Sequence, residues 1–263
     1  MSGLKGKKAL ITGASSGFGA DFADILAKKG MDLVITARRE DKLNSLKAEI
    51  EEKYGVKVRV IAMDLTGIEA AERLCAEVKD ENIDMLINNA GYGMYGWFEK
   101  QSTAELNKMV QLNVVSAFAL ANLFVKDFSA KNLGYILNTA SFAAFNPTPF
   151  YAVYGATKAF LMNFSVALRT ELRKNGKNVF VTAFCPGFTA TEFVETAGQK
   201  RSWFLEKTIG KSYPAAVEAI EGLLKNKPVV MPRFMNRFGA FCLRFMPRSL
   251  AADAAFMSIN EKE

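Results

Sequence analysis

The stretch Lys8-Ala9-Leu10-Ile11-Thr12-Gly13-Ala14-Ser15-Ser16-Gly17-Phe18-Gly19 decides the fold. Its apolar start, Lys8 to Thr12, reads as a buried strand, and Gly17 to Lys29 reads as a helix closed by Gly30. The turn between them is rich in glycine. Glycines let the backbone bend tightly and come close to an anion, which the free N–H groups and dipole of the helix N-terminus then stabilise. A strand, such a turn and a helix in this order form the cradle for a dinucleotide pyrophosphate. The turn lacks the Gly-Lys-Ser/Thr ending of an NTP-hydrolysing phosphate loop.

Working outward, short apolar runs alternate with longer amphipathic ones. Strands are expected at Asp32 to Thr36, Lys57 to Ala62, Ile83 to Asn88, Tyr135 to Thr139, Val179 to Phe184 and Pro228 to Met231. Helices are expected at Asp41 to Tyr54, from about Gly67 to Lys79, from Tyr154 to about Lys174, and at Pro214 to Lys225 with proline at its start. Alternating strands and helices mean βαβ units and a parallel sheet covered on both faces. Residues 1–232 read as one nucleotide-binding and catalytic domain, with 189–213 as a lid segment. Residues 233–263 read as a basic amphipathic C-terminal extension.

Composition narrows the chemistry. The 263 residues include no histidine, which excludes Ser-His-Asp and Cys-His nucleophilic sites and imidazole zinc centres. A general acid or base must then be Tyr, Lys, Cys, Asp or Glu. Cys75, Cys185 and Cys242 lie far apart without a CxxC, so neither a thiolate metal site nor a disulfide framework is expected. A reducing, cytoplasmic setting is the expectation. The N-terminus has no apolar signal-like region, and no transmembrane helix is expected.

Two further patterns carry chemistry. The second strand ends Thr36-Ala37-Arg38-Arg39. An acid at the Ala37 position would hold the ribose hydroxyls of NAD, and beside a 2′-phosphate would cost about 4 kcal/mol at roughly 4 Å. Alanine followed by two arginines points to NADP(H), with Arg38 pairing with the phosphate and stacking on adenine. Farther on, Tyr154 and Lys158 stand i, i+4 on one helix face, with Ser141 upstream after the strand ending Leu137-Asn138-Thr139-Ala140. Ser141 can hold a carbonyl that Tyr154 protonates. Tyrosine ordinarily titrates near 10, so full activation at neutrality would need about 4 kcal/mol. Lys158 and the positive ring of an oxidised nicotinamide are expected to lower it.

Taken together, Thr12 to Gly19, Asp64, Asn88-Asn89-Ala90-Gly91, Asn113, Ser141, Tyr154-xxx-Lys158 and Pro186-Gly187 resemble the short-chain dehydrogenase/reductase family, in its NADP-preferring form, DltE-like or similar to ketoacyl and hydroxysteroid reductases. The resemblance covers roughly residues 5 to 195. It implies a Rossmann-type doubly wound, mostly parallel seven-stranded sheet of order 3-2-1-4-5-6-7, and a homo-oligomer, dimer or tetramer, built through its helices. It implies Asn113, Ser141, Tyr154 and Lys158 as the catalytic set, with Asn113 anchoring a water that relays protons to Lys158. The implied cofactor contacts are Gly13, Ser15, Ser16, Gly17, Phe18, Gly19, Arg38, Arg39, Asp64, Leu65, Asn89, Ala90, Gly91, Tyr154, Lys158, Pro186, Gly187, Thr189 and Thr191. Asp64 would bond adenine, Lys158 the nicotinamide ribose and Thr191 the carboxamide. The alternative is a catalytically silent nucleotide-binding or regulatory scaffold.

The aromatic residues Phe142, Phe145, Phe150, Phe188, Phe193, Trp203 and Phe204 fall near the expected pocket and favour an apolar carbonyl or alcohol substrate. The formal charge of +7 is uneven: residues 1–224 carry +3, 225–250 carry +6 and 251–263 carry −2. Within 233–250, Arg233, Arg237, Arg244 and Arg248 share one side of a helix and Phe234, Met235, Phe238, Phe241, Cys242, Phe245 and Met246 the facing side. That stripe is expected to pack on the body, on a subunit or over the cleft, or else to lie on an anionic membrane surface. No nucleic-acid-binding module is present in the sequence.

Overall fold

The structure, a computed structural model, describes residues 3–187, 189, 197–198 and 210–259. Its centre is a seven-stranded sheet of order β3-β2-β1-β4-β5-β6-β7, parallel throughout. The strands are β1 Lys8–Thr12, β2 Asp32–Ala37, β3 Val58–Ala62, β4 Met85–Asn88, β5 Gly134–Thr139, β6 Val179–Phe184 and β7 Val229–Val230. The helices are α1 Gly17–Lys28, α2 Glu40–Tyr54, α3 Ala70–Glu77, α4 Thr103–Val110, α5 Ala117–Lys131, α6 Ala152–Lys174, α7 Ser212–Leu224, α8 Phe234–Leu243 and α9 Arg248–Ile259. This is the doubly wound α/β fold expected from the strand–helix alternation.

Successive strand residues point to opposite faces, so each strand feeds two cores. Ala9, Ile11, Leu33, Ile35, Ile87, Leu137 and Phe184 pack against Phe22 and Leu26 of α1 and Ala216, Ile220 and Leu223 of α7. Leu10, Val34, Leu86, Ile136 and Val181 pack on the other face against Leu74 of α3 and Leu120, Phe124 and Phe128 of α5. Strands buried on both faces read as continuous apolar runs, which is why the sequence marks them clearly.

Element ends differ from the sequence reading for local reasons. The helix expected from Gly67 begins at Ala70, because Asp64 Oδ1 takes the Thr66 N–H at 3.0 Å and the Gly67 carbonyl takes that of Ala70 at 3.2 Å, which closes a turn first. The last strand shrinks to two residues, and α7 starts at Ser212, with Pro214 in its first turn. Of the expected lid, Thr189 pairs with Gly210 in an isolated bridge, and the Tyr95 N–H reaches the Ala197 carbonyl at 2.9 Å. Residues 190–196 and 199–209 of that segment, with Thr191, Phe193, Trp203 and Phe204, lie outside the described residues, as does Phe188.

One helical run, Thr103–Lys131, is long and apolar enough to cross a membrane by length and composition, which the sequence reading did not anticipate. It joins α4 to α5 through a π-helical turn, Gln111–Ser116, and its inner face is part of the core just described.

Candidate active site

In a doubly wound sheet the ligand crevice opens at the carboxyl ends of the strands where the strand order reverses, here between β1 and β4. The two loops that leave these strands are clamped together. The Thr12 hydroxyl accepts the N–H groups of Asn89 and Ala90, both at 3.0 Å, and donates to the Ile87 carbonyl at 3.3 Å. Asn89 Nδ2 returns to the carbonyls of Thr12 and Gly13 at 3.2 and 3.3 Å.

Glycine is required at two places in the first loop. Gly13 has φ +68°, and a Cβ there would fall 2.8 Å from the Ala90 Cα. A Cβ on Gly19 would fall 2.1 Å from the Gly13 carbonyl oxygen, so that close approach of helix to turn needs a bare backbone. Ser16 caps α1 without using its side chain, which leaves the first N–H groups of the helix directed at the turn. The Arg39 guanidinium lies over the same turn, reaching the Ser15 hydroxyl at 3.1 Å and the Ser16 hydroxyl at 2.8 Å. Both arginines are exposed, and of the two it is Arg39 that is tied to the turn. Asp64 is exposed beside them and Leu65 is buried, its carbonyl accepting the Ser116 hydroxyl. A guanidinium, two hydroxyls and free helix N–H groups make a donor set that fits a phosphorylated dinucleotide.

The second cluster sits beyond β4 and β5. Lys158 is buried and donates to the Thr139 carbonyl at 2.7 Å, with its ammonium 5.7 Å from the centre of the Tyr154 ring. The Ser141 side chain hydrogen-bonds the Tyr154 phenol and also accepts the Ala143 N–H at 3.1 Å as the cap of the short helix Phe142–Phe145. Asn113 is buried in the π-helical turn; its Oδ1 accepts the Tyr92 N–H at 3.1 Å, and its Nδ2 reaches the Tyr92 carbonyl at 2.9 Å and the Thr157 hydroxyl at 3.2 Å. Gly91 fits between Asn113 and Lys158, where a Cβ would fall 2.9 Å from Asn113 Oδ1 and 3.3 Å from Lys158 Nζ. Pro186 accepts the Phe142 N–H at 2.8 Å, while Gly187 accepts the Thr189 hydroxyl at 2.9 Å. Phe18, also among the expected contacts, turns its ring away from the turn and packs edge-on against Phe184 at 5.0 Å.

Burial dominates the electrostatics of this cluster. Burial pushes Tyr154 up to about 12, outweighing the hydrogen bond from Ser141 that works to lower it. The same burial brings Lys158 down to about 8, and its ammonium is hydrogen-bonded to the Thr139 carbonyl. Tyr154 is therefore held in its protonated, proton-giving form.

Several contributors were not singled out from the sequence. Thr12 and Thr157 act through hydroxyls that sequence spacing does not mark. Cys185 is buried against the pair and hydrogen-bonded to the Ser141 backbone, with burial raising its thiol to about 12. An aromatic wall stands next to Tyr154: Tyr151 lies 5.8 Å from its ring and Tyr95 lies 5.4 Å from Tyr151. Phe150, at φ +63°, packs on Tyr95, Trp97 and Phe256 at 5.4, 5.0 and 5.1 Å. Only Phe150 of this wall was expected, since the others come from distant segments.

Such a fold and such a paired site define a nucleotide-binding oxidoreductase of the short-chain type. The short chain dehydrogenase family pattern matches residues 7–202, and the chain belongs to that family. Within it the chain is similar to ketoacyl and hydroxysteroid reductases. The very-long-chain 3-oxoacyl-CoA reductase of Bos taurus is 32% identical over 194 residues, which is 72% of this chain and 62% of that protein, so the chain spans less than two thirds of that relative's length. Among solved structures, a short-chain dehydrogenase from Sphingobium yanoikuyae in complex with NADPH has a TM-score of 0.82 at 30% identity, covering 97% of this chain and 96% of that one. A 7β-hydroxysteroid dehydrogenase has a TM-score of 0.86 at 26% identity, covering 95% and 97%.

Proposed function

We propose that the chain is an NADP(H)-dependent oxidoreductase that reduces a carbonyl of an apolar substrate to an alcohol. The observation that carries this reading is the hydrogen-bonded Ser141–Tyr154 pair beside buried Lys158, facing the glycine turn. The turn from Gly13 to Gly19 would hold the pyrophosphate, Arg38 and Arg39 with Ser15 and Ser16 the 2′-phosphate, and Asp64 with Leu65 the adenine. Asn89, Ala90, Gly91, Pro186, Gly187, Thr189 and Thr191 would border the nicotinamide ribose and ring. The nucleotide, when bound, supplies the hydride.

The residues of the chain handle the oxygen and its proton. Ser141 polarises the carbonyl oxygen by donating a hydrogen bond. Tyr154, kept protonated by burial, transfers its proton to that oxygen as the alcohol forms. The Lys158 ammonium offsets the negative charge left on the phenol, and Asn113 holds the loop after β4 against Thr157, which fixes the distance between Lys158 and the crevice. Asn113 is also the residue that would anchor a relay water serving Lys158.

NADP(H) rather than NAD(H) is supported by the guanidinium and hydroxyls of Arg39, Ser15 and Ser16 and by the absence of an acid at Ala37. The NADPH complex of the Sphingobium relative supports it too. The aromatic wall beside Tyr154 and the names of the 3-oxoacyl-CoA and hydroxysteroid relatives support an extended apolar carbonyl substrate. Exposed Phe118, Phe160 and Val166 on α5 and α6 support a homo-oligomer through those helices, and the free thiols of Cys75, Cys185 and Cys242 support a reducing, cytoplasmic setting.

The experiment is NADPH oxidation with a panel of long-chain 3-oxoacyl thioesters, ketosteroids and bulky ketones, run beside NADH and beside Arg39→Gln. The expected result is turnover of at least one apolar carbonyl with NADPH preferred, and a preference reduced about tenfold in Arg39→Gln, which removes one charged hydrogen-bonding partner. Tight NADPH binding with no turnover of any carbonyl would instead identify a silent nucleotide-binding scaffold.

A further inference from the structure

Helix α8 turns its small residues inward and its large ones outward. Ala240 is buried among Ala117, Ala140, Leu161, Ala183 and Cys185, and Gly239 comes close enough to Phe142 that a Cβ would sit 3.5 Å from its ring. Asn236 donates to the Pro232 carbonyl at 2.9 Å and packs against Gly187. On the opposite side Phe234, Phe238, Phe241 and Phe245 are 71%, 54%, 56% and 75% exposed. Among the described residues they contact only one another as rings, Phe234 with Phe238 at 6.3 Å and Phe241 with Phe245 at 5.2 Å. Among the described residues, the apolar stripe therefore does not pack on the body of its own chain.

At 100° per residue Phe234, Phe238 and Phe241 cover about 60° of the helix with Arg237 on one flank, and Arg244 and Phe245 follow in the turn that closes it. Neither arginine has a carboxylate partner among the described residues, and the chain carries no acid between Glu221 and Asp253. We propose that this face docks on an anionic lipid bilayer, with the phenylalanines entering the acyl boundary and the arginines meeting headgroup phosphates. Charge selects this occupant over a second copy of the chain. A two-fold pairing of the face with itself would bring its arginines together with no acid to receive them.

The position of the face gives the docking a use. α8 touches the Phe142–Phe145 turn that follows Ser141, and α9 sets Phe256 against Trp97 and Phe150 of the aromatic wall. The bilayer would thus lie beside the mouth from which an apolar carbonyl enters. That use rests on the proposed reductase activity, whereas the docking does not.

The test is co-sedimentation of the full chain with phosphatidylcholine vesicles and with vesicles carrying about 30% phosphatidylglycerol, at about 0.05 and 0.5 M salt. The expected result is binding to the anionic vesicles only, weakened by salt. Arg237→Gln with Arg244→Gln should lower the partition coefficient about thirtyfold, at about fivefold per arginine. Phe234→Ser, Phe238→Ser, Phe241→Ser and Phe245→Ser combined should abolish binding while NADPH affinity and thermal midpoint stay at the parent values. No binding of the parent chain to anionic vesicles overturns the proposal, as does binding that neither set of variants weakens. Sedimentation velocity without lipid supplies the remaining outcome. If the serine variant breaks an oligomer and the parent ignores vesicles, a second copy covers the face.

Discussion

The crevice between β1 and β4 and the helix α8 treat the same kinds of residue in opposite ways. Around the crevice, polar groups are drawn in and tied down: Thr12, Asn113 and Lys158 are buried and each is hydrogen-bonded. Asn88 adds a line of such bonds, reaching Asn138 at 2.9 Å, which in turn reaches Ser165 at 2.8 Å. On α8 the phenylalanines are left outside. Burial of polar groups is tolerated where each finds a partner and is used where chemistry needs a fixed donor. Exposure of clustered aromatics marks a surface that meets something else. The difference separates a region built to hold one geometry from a region built to be covered.

The sharpest way to break that contrast is to truncate one phenylalanine from each region. Phe22 is fully buried and packs on Phe184 at 5.8 Å, so Phe22→Ala is expected to lower the unfolding free energy by about 3–5 kcal/mol. Phe238→Ala removes an exposed ring and is expected to change it by less than about 0.5 kcal/mol. Urea unfolding of both variants checks this; equal losses would mean that α8 is part of the core.

Lys158 offers a smaller effect of opposite sign. Burial brings its ammonium from 10.5 to about 8, which corresponds to a cost to the folded state of about 3 kcal/mol below pH 8. That cost disappears as pH rises from 8 toward 10.5. Lys158→Met is expected to raise stability at pH 7 by about 1–2 kcal/mol, after the lost hydrogen bond to Thr139 is allowed for, while removing turnover. Thermal melts at pH 7 and pH 10 check it, with the gain confined to the lower pH.

The smallest effect concerns the clamp at the back of α1. Burial works to raise Asp24, but hydrogen bonds from Tyr54, Lys53 and Tyr213 at 2.7, 3.0 and 2.9 Å hold it below its ordinary 3.8. A carboxyl lowered in this way adds stability above the ordinary value and loses it as pH falls through the folded one. Asp24→Asn should therefore cost up to about 1 kcal/mol at pH 7 and nothing near pH 2, read from urea midpoints at both.

How much of this was legible beforehand follows the distance over which each feature is encoded. The glycine turn, the doubly wound order and the Ser141, Tyr154, Lys158 spacing are local patterns, and the structure puts them in one crevice. The sequence favoured Arg38 as the phosphate partner, whereas it is Arg39 that reaches Ser15 and Ser16, because that depends on how α2 leaves the sheet. The Thr12 hydroxyl binds a segment 77 residues away, and no pattern near Thr12 announces that. The aromatic wall combines Tyr95, Trp97, Phe150 and Phe256 from separate loops and the last helix. The elevated Tyr154 follows from depth of burial, a property of the whole fold. On α8 the stripe itself was readable, but its outward direction depends on Asn236, Gly239 and Ala240 offering the flatter face to the body.

The most direct measurement compares single-turnover reduction of an apolar ketone by the parent and by Tyr154→Phe, each saturated with NADPH, with nucleotide affinity measured in parallel. The expected result is a loss of about 10²–10⁴-fold in the rate of reduction at unchanged nucleotide affinity, the range for removal of a positioned general acid. A Tyr154→Phe enzyme that reduces the ketone at the parent rate would contradict the assignment of Tyr154 as the proton donor.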